Sequence, residues 1–208
     1  MPDDPRKDQS MAILSVVKQV SFLSRIGLPA KTAGQRAESW KVFQAASAWH
    51  KFDAKAKKVG PLKVDGVPGN ATVVHVNASI AHRYGISPNF KLVEFKCRAY
   101  GHSHVSVDRD LVVYLQSLRA KIGSITILNG YRCSAYNASV GGIKGSEHTK
   151  WPARAVDIYP HPKPSVVKGL GFHGIGVRNT DSNPKTARVV VHLDIKPTTP
   201  KDTVFVDE

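Results

Sequence analysis

The sequence predicts an α+β fold: a small all-α part at the N-terminus, then a domain in which helices and strands alternate. Three observations carry this. From about Met11 to Tyr84, apolar residues recur at helical spacing. Beyond Asn89 the period changes, and "SITILNGYR", "ARAVDIY" and "TARVVVHLDIK" read as short strands among helical segments. At 208 residues, with 41% hydrophobic and 22% charged content, the chain is long enough for a sizeable core and too apolar to be disordered.

Taken in order, residues 1–10, "MPDDPRKDQS", are polar, contain proline and read as a disordered tail. "MAILSVVKQVSFL" is interrupted by Lys18 and has no small-residue cleavage site, so it reads as the start of a helix and not as a signal peptide. No apolar run approaches the ~20 residues of a membrane span. Residues 11–85 form the helical module. Within it, "AESWKVFQAASAWHKFDAKAKK" places Trp40, Phe43, Ala46 and Trp49/His50 on one stripe. "VGPLKVDGVPGNATVVHV" follows as a tight loop, with Asn70 or Thr72 able to cap the next helix.

Residues 86–208 form the second domain. After the connector "RYGISPNFKLVEFKC", "SVDRDLVVYLQSLRAKIG" reads as a helix with Asp108 near its start and Leu111, Leu115, Leu118 and Ile122 on one face. The strand "SITILNGYR", a short helix "SAYNASVGG" ended by glycines, the strand "ARAVDIY", a helix "PSVVKGLG" and the strand "TARVVVHLDIK" complete it.

The net charge is +14, divided evenly at +7 between residues 1–85 and 86–208. Such a field suits a polyanionic partner, whether nucleic acid or an anionic cell envelope. No Lys/Arg cluster is interleaved with aromatics, which argues against specific nucleic-acid binding. The two cysteines, Cys97 and Cys133, have no CxxC spacing and read as structural and unpaired.

The last strand is the most informative. Strict alternation puts Val189, Val191, Leu193 and Ile195 on one apolar face, and Val190, His192 and Asp194 on the other. In "ARAVDIY", Ala155, Asp157 and Tyr159 share a face, and a mid-strand Asp is disfavoured unless it is paired or bound to a metal. His148 precedes it in a loop opened by Gly145 and Ser146. Two imidazoles and one carboxylate are the ligand set of a catalytic zinc site that keeps a fourth position for water.

Two stretches resemble known families. "VDGVPGNAT" is similar to the DGxxGxxT signature of a three-helix peptidoglycan-binding module, through Asp65, Gly66, Gly69 and Thr72. "NGYRCSAYNASVGGIKGSEHTKWPARAVDIY", followed by "VVHLDI", resembles the zinc D-Ala-D-Ala carboxypeptidases and peptidoglycan endopeptidases. This family includes VanX- and VanY-type enzymes and shares the fold of the Hedgehog signalling domain. The family pattern SGYR…YN…VGG…SxHxxGxAxD…HxD meets Gly130-Tyr131-Arg132, Tyr136-Asn137, Val140-Gly141-Gly142, Ser146, His148, Ala155, Asp157, His192 and Asp194. The resemblance runs from about Asn89 to Pro197.

It implies one zinc ion held by His148, Asp157 and His192. Arg132 is then placed to hold a substrate carboxylate or an oxyanion, and Ser146, Tyr131 and Asn137 become substrate-binding candidates. The family steps seven residues from the His to the Asp; here the step is nine, with Trp151-Pro152 where a glycine normally stands. That insertion alters the loop and leaves Ala155 and Asp157 in strand register. The base is open between Asp194, which is either a proton acceptor or a support for His192, and His173 of "GFHGIGV".

The implied protein is a zinc peptidase cutting the peptidoglycan stem peptide, concentrated on anionic wall polymers by its charge. Without a signal peptide it resembles a phage endolysin, acting at the bacterial cell wall after release from the host cytoplasm by a lysis system or carriage on a virion. The alternative is a non-catalytic wall- or virion-associated binding protein that retains the fold.

Overall fold

The computed structural model describes residues 15–179 and 188–206. The proposed 1–10 tail lies outside them. Four helices come first: α1 (Val16–Arg25), α2 (Ala33–Ala46), α3 (Ala54–Val59) and α4 (Asn70–Ala81). Then follow α5 (Arg109–Ile122), β1 (Thr126–Asn129), α6 (Ser134–Ser139), β2 (Ala155–Tyr159), α7 (Pro164–Val167), β3 (Gly174–Asn179), β4 (Arg188–Asp194) and β5 (Thr203–Val206).

The helical run predicted over residues 37–58 is broken. Trp40, Phe43 and Ala46 are buried on α2 as the stripe requires, but the helix stops at Ser47 and Trp49–Lys51 form a separate 3-10 turn. Tertiary hydrogen bonds override helix propensity here: Ala48 N donates to Ile86 O (3.0 Å) and Trp49 Nε1 to Gly85 O (3.0 Å). Asn70 and Thr72 do not cap α4 either. Gly69 occupies that position with no side-chain cap, and Thr72 is buried inside the first turn.

The loop "DGVPGNAT" is built around Gln44 of α2. The Gln44 side chain accepts from the backbone N–H of Asp65 (3.1 Å) and Gly66 (2.9 Å). It donates to Asp65 Oδ1 (3.1 Å), Val67 O (2.9 Å) and Thr72 Oγ1 (3.4 Å). Gly66 has φ +80, and a Cβ there would stand 2.8 Å from Ala37 O. Asp65, Gly66 and Thr72 therefore have structural partners inside the protein, and Gly69 serves the helix start.

Asp108 caps α5 as expected, its carboxylate accepting from Asp110 N (2.9 Å). Leu111, Leu115 and Leu118 are fully buried, each adding about 1.5–3 kcal/mol by leaving water. The sheet they cover has the order β1-β2-β4-β3-β5 and is antiparallel except for the β3–β5 pair. Strands β3 and β5 were not expected from the sequence: "GIGVRN" is glycine-broken and "TVFV" is only four residues long.

Strict alternation along β4 also fails. His192 pairs with Gly176 and Val190 with Val177, so Val191 is an extra residue without a β3 partner. This bulge shifts the phase by one. Val190 and Leu193 both face the core, while His192 and Asp194 face away from it. On β2, Val156 and Ile158 face the same core, which leaves Asp157 on the far face as predicted. No helix among the described residues is long and apolar enough to cross a membrane.

Candidate metal centre

The site sits on the sheet face opposite α5. Asp157 and His192 are direct partners across β2 and β4, and Asn129 of β1 faces Asp157 from the other side. His148 comes from the 3-10 turn Glu147–Thr149, whose start Ser146 caps by accepting from His148 N (3.4 Å). One donor atom each from His148, Asp157 and His192 lie within 4.8 Å of one another. His148 Nε2 stands 3.3 Å and His192 Nδ1 3.1 Å from Asp157 Oδ1, and the two ring nitrogens are 3.2 Å apart.

Two outer contacts fix which nitrogen each imidazole offers. His148 Nδ1 donates to Gly130 O (2.6 Å), so Nε2 carries the lone pair aimed at the cluster. His192 directs Nε2 at Asp194 Oδ2 (3.4 Å), which leaves Nδ1 for the cluster. Asp194 Oδ1 in turn accepts from Gly174 N (3.2 Å) and Lys196 N (2.9 Å).

The backbone leaves room for these side chains. A Cβ at Gly176 would approach His192 Cβ to 2.8 Å, and one at Gly174 would overlap the Asp194 carboxylate. The side chains of β4 occupy the space that two β3 side chains would have filled. Phe205 of β5 closes the edge, its ring 5.8 Å from that of His192.

Electrostatics match a cation site. Burial opposes ionisation of Asp157, but its contacts with the His148 and His192 imidazoles outweigh it and hold the carboxyl far below its ordinary range. Burial keeps His148 neutral. Burial also disfavours charge on His192, yet hydrogen bonds to Asp157 and Asp194 push its pKa up to about 9. The donor set, an ionised carboxylate with two imidazoles of fixed orientation, fits Zn²⁺. His148 is buried, while Asp157 (18% exposed) and His192 (13%) keep one side of the cluster open.

Arg132 leads into α6. Its Nη2 donates to Asp157 Oδ2 (2.5 Å) and His148 Nε2 (3.0 Å), and its Nη1 to Asn137 Oδ1 (3.4 Å). Asn137 is buried and donates to Ile143 O (3.0 Å), so its amide is spent on Arg132 and the glycine loop. Tyr131 continues from β1 with its backbone N–H on Phe95 O. His173 is not brought into the cluster; its Nδ1 lies 2.7 Å from Lys196 O. Sequence reasoning missed Asn129, whose Nδ2 donates to Asp157 Oδ2 (2.9 Å), and both cradle glycines. A polar residue ending a strand that leads into "GYR" was the available signal for Asn129.

The nine-residue step from His148 to Asp157 does not disturb the register. Arg154 N donates to Glu147 O (2.9 Å) and Ile195 N to Arg154 O (3.0 Å), which closes the loop onto β2. Trp151 projects from it, half exposed.

Residues 88–179 match the model of a family described as Peptidase M15. The match covers less than half of the chain. It includes Arg132, His148 and Asp157 and ends before His192, which the fold brings to the same point. It supports the M15 zinc peptidase family. No curated protein matches the chain.

Proposed function

We propose that the chain is a zinc-dependent peptidase that hydrolyses an amide bond in the stem peptide of bacterial peptidoglycan. One observation carries the reading: His148, Asp157 and His192 converge on one point, the two imidazoles each held by an outer contact. The Peptidase M15 match over residues 88–179 supports the reaction class.

Zinc bound there would polarise the scissile carbonyl and lower the pKa of a water. The chain's own residues do the rest. His148 presents its Nε2 lone pair, an incoming ion would displace the proton that His192 Nδ1 shares with Asp157, and Asp157 supplies the negative charge. Arg132, whose Nη2 stands on Asp157 and His148, has a guanidinium beside the cluster able to hold a substrate carboxylate or the oxyanion. Asp194 keeps the Nε2 proton of His192 in place, which fits a positioning residue better than a base, since both its oxygens are already engaged. The +14 charge would favour residence on anionic wall polymers.

The test is mass spectrometry of the fragments that zinc-loaded protein releases from purified peptidoglycan. Amide cleavage is expected, with a drop of about 10³-fold or more in His148→Ala at unchanged fold. Wall binding without any released fragment would overturn the peptidase reading in favour of a binding protein.

A further inference from the structure

A second cluster of soft ligands stands away from the zinc residues. Cys97 follows the 3-10 turn Leu92–Phe95, on a chain paired at Lys96 and Val105. Its N–H donates to His104 O (2.9 Å), His102 N donates to Ala99 O (3.1 Å), and the chain reverses at Gly101 (φ +72). That tight loop turns His102 back toward Cys97. Cys133, the residue after Arg132, meets them at the start of α6. The Sγ atoms of Cys97 and Cys133 and a ring nitrogen of His102 lie within 4.8 Å of one another.

Three features distinguish this group from a chance meeting of buried side chains. Both cysteines are free thiols. Each sulfur already faces a backbone N–H: Cys133 N donates to Cys97 Sγ (3.4 Å) and Tyr136 N to Cys133 Sγ (3.4 Å). Such donors offset the negative charge of a thiolate. His102 Nδ1 is shut off from solvent and has no hydrogen-bond partner, a cost that a native structure normally offsets.

We propose that Cys97, His102 and Cys133 form a second, structural metal site, selective for a soft divalent cation of the Zn²⁺ type. Two thiolates and an imidazole favour such an ion over the hard cations that prefer oxygen, and solvent completes the tetrahedron. The ion ties the 97–102 loop to the start of α6. Because Cys133 adjoins Arg132, it also holds the backbone from which Arg132 reaches Asp157. The site does not depend on the peptidase reading and stands or falls separately from it.

The sulfur ligands supply the test. Protein prepared under reducing conditions is loaded with Co²⁺ alone, and metal content and absorption are recorded. The expected result is two ions per chain, one for each cluster, and a thiolate-to-cobalt charge-transfer band in the near ultraviolet. The His148 cluster contains no sulfur and cannot give that band. His102→Ala should lower the stoichiometry to one and weaken the band, whereas His148→Ala should lower it to one and keep the band. Zn²⁺ should displace Co²⁺ and abolish the absorption. One ion per chain without a sulfur band, or a Cys97–Cys133 disulfide in the reduced preparation, would overturn the proposal. If the variants do not fold, the wild-type stoichiometry and spectrum decide alone.

Discussion

Asp194 shows how much of the proposed metal centre lies behind its ligands. It does not belong to the three-residue cluster, yet it receives His192 Nε2 and is itself held by the N–H groups of Gly174 and Lys196. Replacing it by Asn keeps one oxygen for those two N–H groups. It turns the other acceptor into a donor that faces the His192 N–H. The imidazole must then rotate or change tautomer, and Nδ1 is no longer fixed for the ion. Asp194→Asn is therefore expected to weaken zinc at this site by about 10–100-fold with the fold retained, as read by competition with a chromogenic chelator. Unchanged affinity would show that His192 is held by its packing alone. His148, Asp157 and His192 were legible in the sequence because imidazoles and a mid-strand carboxylate are costly unless used. Gly174 and Gly176 were not legible, since their value lies in the volume they leave to Asp194 and His192, far along the chain.

At the scale of elements, α4 carries a buried switch of stability in His75. The ring is fully buried, with Nδ1 2.8 Å from Ser47 Oγ and Nε2 3.0 Å from Gly60 O. Burial depresses its pKa from 6.5 to about 4, despite the favourable Gly60 carbonyl. The folded state therefore binds this proton less readily than the unfolded chain does. Above pH 6.5 both states are neutral at His75 and its contribution is intact. As pH falls from 6.5 toward 4 the unfolded chain takes up the proton first, and stability declines by up to ~1.4 kcal/mol per unit. His75→Gln is expected to flatten that part of the stability–pH profile, measured by urea titration at fixed ionic strength. An identical slope in the variant would remove His75 from the account. Helix α2 and the turn after it show the limits of reading periodicity. The stripe from Trp40 to His50 was real as a set of buried residues, but its continuity as a helix was broken by Gly85 and Ile86, which capture Trp49 and Ala48 from far along the chain. The bulge at Val191 is of the same kind. It is imposed by pairing with a glycine-bearing strand whose existence "GIGVRN" did not announce.

For the whole molecule, the division at residue 85 drawn from composition meets a buried cluster that does not stop there. Phe22, Trp40 and Phe43 belong to the same cluster as Leu92, Phe95, Leu111 and the core face of the sheet. Phe22 stacks on Trp40 with ring centres 5.7 Å apart and meets Phe43 edge-on at 5.1 Å. A hydrogen bond also crosses the boundary, from Ala48 N to Ile86 O (3.0 Å). A helical half joined to a sheet half through shared apolar surface has no reason to unfold by itself, because separation would expose the faces of both. The described residues are expected to lose structure in one transition. The chain's three tryptophans make this measurable. With Trp151→Phe, the remaining fluorescence comes from Trp40 and Trp49 in the helical half, while the near-ultraviolet absorption of cobalt at the sulfur cluster reports the other half. Denaturant midpoints from the two probes should coincide. Phe43→Ala, which deletes a fully buried ring, should lower both together, by about 3–5 kcal/mol in stability. Two separated midpoints, with Phe43→Ala moving only the tryptophan signal, would mean that the halves fold independently and that the shared core contributes little to either.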